Sequence, residues 1–153
     1  MTIDFELQDV SGAKTVPDVE QFRSWLATVL AERGDVSLAV RVVDAEEMEA
    51  LNTRYRGRKE PTNVLSFPAD LPEAVRGALE SDPLGDIVIC APVVEAEALS
   101  QDKPATSHWA HLTIHGALHL LGYDHQAEAA AKEMEALEVR CLSALGIPDP
   151  YRE

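Results

Sequence analysis

Residues 115 to 125 read HGALHLLGYDH, with three histidines separated by three and then five intervening positions. Imidazole is the commonest metal-binding side chain, and three neutral rings on one ion leave a fourth position open, the pattern of a catalytic site and not of a closed structural one. The spacing also matches the long zinc-protease pattern HExxHxxGxxH. In that class the glutamate after the first histidine takes a proton from water, whereas Gly116 stands here. The ligands of a peptidase are thus present without its base, and a peptidase reading is weak.

Helix geometry sorts the histidines. From Thr106 to Leu121 the apolar residues Ala110, Ile114, Ala117, Leu118 and Leu121 follow one stripe of a predicted helix, and His111, His115 and His119, spaced by four, follow another. At 1.5 Å per residue, His111 and His119 stand roughly 12 Å apart along the axis, too far to share an ion held at about 2.0 to 2.1 Å. His115 and His119 are one turn apart. Gly122 is placed to end the helix in a left-handed turn, returning His125 to the same end. The expected metal ligands are therefore His115, His119 and His125. His111 is left beside the metal, facing substrate, or in the core, with the last the better reading for that residue alone; His108 reads as exposed. A lone HxxxH pair usually means packing, and Asp124 serves equally well as a cap for the last helix, with His125 merely packed. That alternative leaves the cluster to coincidence, and both roles of Asp124 stay open. Imidazoles suit zinc, and also nickel, copper and iron.

Around these residues the chain reads as one domain, 1–153, long enough to fold without a metal or disulfide to hold it. IDFELQD alternates as a half-buried strand does, and Val19, Phe22, Leu26, Val29 and Leu30 recur at helical spacing up to Gly34. VSLAVRVV, NVLSF and DIVIC read as strands; Asp44 caps a short helix carrying Met48 and Leu51, and VVEAEALSQ gives another after Pro92. Residues 68 to 83 contain three prolines and several charges and read as a loop with one helical turn, a cleft flank or a plain surface insertion. The fold class expected is α+β, a mixed sheet of about four strands packed with helices, the metal site lying at the end of a central helix.

Composition limits the function. A net charge of −14 opposes nonspecific nucleic-acid binding, which needs Lys and Arg against phosphate. Four of the thirteen basic residues nevertheless fall in RYRGRK, residues 54 to 59, one positive spot on an acidic body. Cys90 and Cys141 lie in apolar stretches and read as buried thiols in a reducing compartment. No apolar run approaches a membrane span, and MTIDFELQDV has no signal-peptide character, so the expectation is a cytoplasmic protein without a membrane partner.

HGALHLLGYDH, together with RGRKEPTNVLSFP at 56 to 68 and LGDIVIC at 84 to 90, resembles the YbeY family of bacterial endoribonucleases. The resemblance is strongest over 54 to 68, 84 to 92 and 108 to 138 and weakest in the 69 to 83 loop. It implies a zinc-dependent, single-strand-specific endoribonuclease acting in maturation of the 3′ end of small-subunit (16S) ribosomal RNA and in ribosome quality control. It also implies one zinc ion on His115, His119 and His125, catalysis through Arg56 and His115, and ribosomal RNA and the small subunit as partners. Glu60 stands where many relatives carry Asp, which keeps the charge. An always-charged guanidinium fork suits the charge that builds on phosphoryl oxygens, the role expected of Arg56; the plainer reading is a solvated charge at a helix end. A zinc ion can acidify water without a carboxylate base, so the loss of the glutamate is tolerable, but the sequence does not choose between attack by that water and attack by the ribose 2′-hydroxyl. The acidic surface suggests a basic ribosomal protein as a docking partner. Two rivals share the features: a metal-dependent hydrolase on another substrate, and a non-catalytic ribosome assembly factor. Tyr123 and Asp86 are accounted for by packing and a turn.

Overall fold

The first two helices begin where the sequence offers side-chain acceptors, and the second ends where it offers glycine. In the computed structural model, which describes residues 2–151, Asp18 accepts from Gln21 N–H while the Gln21 side chain accepts from Asp18 N–H, a capping box that starts α1 (Val19–Leu30). Asp44 accepts from Glu47 N–H at 2.9 Å to start α2 (Ala45–Arg56), and Gly57, at φ 68°, ends it in the left-handed conformation.

The sheet has four strands in the order β1-β2-β4-β3, comprising β1 (Ile3–Asp9), β2 (Val36–Val43), β3 (Val64–Pro68) and β4 (Asp82–Cys90). The β1–β2 and β2–β4 pairs are parallel and β3 runs antiparallel on the edge, a mixed sheet as the sequence led one to expect. The remaining helices are α3 (Glu73–Arg76), α4 (Ala91–Ser100), α5 (Ala105–Leu120) and α6 (Glu128–Ala144). Central strand β4 is buried from Ile87 to Cys90, and the main core gathers Phe22, Leu26, Val40, Ile87, Ile89, Trp109, Ile114 and Leu142.

Some boundaries move. β4 begins four residues before the expected DIVIC, because a bulge lets Ser37 pair with Pro83 and Leu38 with Gly85, taking in a proline that a sequence reading assigns to the loop. The loop keeps its single helical turn as α3. Pro92 lies inside the first turn of α4, where its missing N–H costs nothing. Asp86 sits within β4, exposed and paired with Ala39 and Phe67, and not in a turn. Tyr123 packs against the core as expected, and both cysteines are free thiols.

Gly85 shows how tightly β3 and β4 approach. Its φ is +130°, and a Cβ there would fall inside contact distance of the Phe67 carbonyl and 2.9 Å from Ala69 N. Gly85→Ala is expected to lower the unfolding free energy by more than about 2 kcal/mol in a denaturant titration, since strained backbone and backbone overlap act together.

Candidate metal centre

Helix α5 is buried on most of its surface: Trp109, Ala110, Leu112, Ile114, Ala117 and Leu118 are all in the core, which leaves one narrow stripe for polar groups. His111, His115 and His119 occupy that stripe, each partly buried. Beyond the C-cap Leu121, Gly122 takes φ 100° and Tyr123 N–H donates back to Leu118 O at 3.1 Å, reversing the chain. The following turn is held by Asp124 Oδ1, which accepts from Gln126 N–H at 3.2 Å. His125 thereby faces the helix end, its ring centroid 5.5 Å from that of His115 and 5.1 Å from that of His119. Asp124 does not cap α6, whose N-cap is Ala127 without a side-chain bond.

One ring nitrogen from each of His115, His119 and His125 lies within 4.8 Å of the others, a group that could hold a metal ion. The Nε2 atoms of His115 and His119 are 3.1 Å apart. Two nitrogens bound at about 2.0 to 2.1 Å in a tetrahedral site stand roughly 3.3 Å apart, so little movement separates this arrangement from a ligating one. Burial, then the neighbouring His115 and His125, hold the His119 imidazole below its usual range and favour the neutral form that a metal requires.

Behind the cluster lies a residue that the sequence reading missed. Glu138 of α6 is 1% exposed, and its Oε1 is 3.0 Å from His115 Nδ1 and 2.8 Å from His111 Nε2, while Tyr151 OH donates to its two oxygens at 3.0 and 2.9 Å. Burial pushes the carboxyl up, but the bonds from His111 and His115 outweigh it and bring it to about 2. An ionised carboxylate only accepts, so His115 Nδ1 carries the proton and Nε2 is left with the lone pair that faces His119. A sign was available in sequence: Glu138 falls midway between Met134 and Leu142, a charge on the buried stripe of its helix.

His111 is thus one layer behind the three-histidine group, bonded to Glu138. His108, expected at the surface, is buried instead, 3% exposed with Nε2 2.8 Å from Glu97 Oε1. Burial lowers its pKa against the pull of Glu97. The surface expectation failed because α4 supplies a polar partner that lets an imidazole enter the interior.

The cluster opens on a cleft of roughly 560 Å³ lined by Thr62, Asn63, Ser66, His115, His119 and His125, with exposed Arg56 on its rim. Arg56 reaches it because α2 ends at Gly57 and the chain turns into β3, which forms one wall. Gly116, next to His115, packs instead against the sheet. A Cβ there would stand 2.8 Å from Ile87 Cγ2 and 3.3 Å from Ser66 Oγ, and Ser66 Oγ donates to the Gly116 carbonyl at 2.9 Å. The position that holds the base in zinc proteases here faces the sheet and has no room for a side chain.

The fold and this cleft define a class: a single α+β domain whose central helix presents, at its end, a three-histidine group able to hold a metal ion. The chain belongs to the YbeY family, whose model, described as Endoribonuclease YbeY, matches residues 6–146. Relatives named endoribonuclease YbeY include one from Halorhodospira halophila, 52% identical over 99% of this chain and 97% of its own. Another, from Alkalilimnicola ehrlichii, is 53% identical over 98% of this chain and 92% of its own. A Thermotoga maritima protein solved in solution matches over 99% of this chain and 100% of its own, with TM-score 0.58 at 24% identity, a likeness of fold. No helix among the described residues is long and apolar enough to cross a membrane.

Two outcomes are expected. Gly116→Glu destabilises the protein by more than about 3 kcal/mol in chemical denaturation, because it forces both volume and charge against Ile87. Glu138, lowered from 4.5 to about 2 in the fold, contributes stability that is fully present above about pH 4.5 and is lost as pH falls through 2. In metal-free protein, acid unfolding over that window is therefore shallower in Glu138→Gln than in wild type; identical acid limbs contradict the assignment.

Proposed function

We propose that the protein is a zinc-dependent endoribonuclease specific for single-stranded RNA, with His115, His119 and His125 holding one zinc ion and Arg56 acting on the scissile phosphate. The observation that carries this reading is the convergence of three ring nitrogens within 4.8 Å in a cleft rimmed by a guanidinium. Near-full-length relatives named as endoribonucleases give the substrate class. The donor set fits zinc: imidazole nitrogen only, with His115 already fixed in the tautomer that frees Nε2.

When bound, zinc supplies a Lewis acid that acidifies water and draws charge from a phosphoryl oxygen. The chain's own residues do the rest. Arg56 extends a planar, permanently charged fork from the rim and pairs with non-bridging oxygens as negative charge grows on them. Thr62 and Asn63 line the strand path beside it, and Ser66 holds the α5 backbone, and with it His115, against the cleft wall. His115, which lines the cleft and would hold the ion, is the catalytic histidine of this reading. Peptide hydrolysis is disfavoured because position 116 has no space for a base.

The biological setting we propose is maturation of the 3′ end of small-subunit ribosomal RNA and quality control of ribosomes, in the cytoplasm, a reading that membership of the YbeY family supports. With a net charge of −14, the body of the protein repels RNA, so the Arg54–Lys59 neighbourhood is the surface best suited to touch it, and a basic ribosomal protein supplies the remaining affinity.

Purified protein is expected to cut single-stranded RNA, to cut matched DNA poorly, and to lose activity on chelation until zinc is restored. Equal cleavage of both polymers contradicts the reading. His119→Ala is expected to lose metal and activity while still unfolding cooperatively, since the core does not include that ring. Arg56→Ala is expected to lower kcat by about 10²- to 10³-fold, with Lys a poor substitute.

A further inference from the structure

Met134, Glu138 and Leu142 stand one turn apart on α6, and all three are 1% exposed or less. A leucine at 138 would continue that apolar stripe, and a lone carboxylate at such depth is unfavourable unless donors surround it. Among the described residues no lysine or arginine pairs with it; the donors are His111, His115 and Tyr151, drawn from α5 and from the segment after α6. Only one of these three, His115, also faces the cleft. Of the three histidines of the candidate centre, His115 is therefore the one that the carboxylate holds by a direct hydrogen bond.

We infer that Glu138 is the positioning residue of the metal centre: it holds the proton of His115 on Nδ1, turns Nε2 toward His119 and His125, and strengthens that nitrogen as a ligand. The inference rests on the three-histidine group being the metal site. His115 would swing about its side-chain torsions if its Nδ1–H had no fixed acceptor, and a ring free to turn gives up part of its affinity for an ion. His111 and Tyr151 donate to the remaining lone pairs, so the carboxylate is itself fixed from three directions. Tyr151 closes the network from outside, its backbone N–H bonded to Asp149 Oδ1 at 2.8 Å. The same carboxylate, with His111 and His115, also meets the spacing of a metal group, but the 2.8 and 3.0 Å separations are those of charge-assisted hydrogen bonds in which each ring donates a proton.

Glu138→Gln keeps the shape and removes the charge. Zinc affinity measured by competition with a chromophoric chelator is expected to fall about 10- to 100-fold in this variant, with one ion per chain in both proteins. Its cobalt(II) absorption bands should shift while thermal unfolding stays cooperative, a combination that a purely structural role would not produce. Wild-type affinity with unshifted bands overturns the inference. Two ions per wild-type chain, the second lost in His111→Ala, also overturn it, because Glu138 is then a ligand. Should Glu138→Gln fail to fold, ¹⁵N-detected histidine spectra of the zinc-loaded wild type decide: a proton on His115 Nδ1 supports the assignment, and one on Nε2 defeats it. A wild-type chain that takes up no zinc at all refutes the metal reading first, a failure seen in the same titration before any variant is compared.

Discussion

The contact on which this molecule depends is the approach of helix α5 to the sheet at Gly116. With no side chain between them, the helix backbone comes down onto Ile87 and its carbonyl accepts from Ser66 on the edge strand. That closeness fixes the roll of the helix. One face is then committed to the sheet, others to α1, α4 and α6, and the remaining stripe can only be the one bearing His111, His115 and His119. Moving the helix outward by the depth of one methyl group would shift each imidazole relative to β3, Arg56 and the returning His125. Packing density in the interior and geometry at the cleft are therefore one constraint, and the glycine where a zinc protease has its base belongs to the packing half of it.

Electrostatics add a second layer. The imidazole side of the centre faces a cleft open to solvent, while its rear is closed by a buried carboxylate ringed with donors. Burial of Glu138 would by itself favour the neutral acid; the two histidine bonds reverse that and keep an acceptor in place. Tyr151 feels the opposite effect, its hydroxyl raised by burial and by the adjacent negative charge, so it remains a donor. The protein thus carries ionised, acceptor-only chemistry behind His115 and leaves the lone pair of its Nε2 on the side of His119, the polarity a cation-binding group needs.

Much of this was legible in the chain. The helical spacing of four, the glycine reversal and His125 gave the cluster, and β-branched runs gave the four strands. What escaped was long-range. Glu138 lies 23 residues beyond His115 in a helix with several other glutamates, and only its place on the Met134–Leu142 stripe distinguishes it. His108 was misplaced because its partner Glu97 belongs to a different helix, and no local pattern announces that meeting. The start of β4 was hidden by Pro83 and by a bulge, features that interrupt the alternation by which strands are recognised. Local periodicity thus reported faces and ends of elements, while buried polar pairings between elements required the fold.

The account stands on three imidazoles sharing one ion. X-ray absorption of the zinc-loaded protein tests this most directly: three imidazole nitrogens at about 2.0 to 2.1 Å with one further light atom are predicted, and a first shell containing sulfur or fewer than three imidazoles would contradict it.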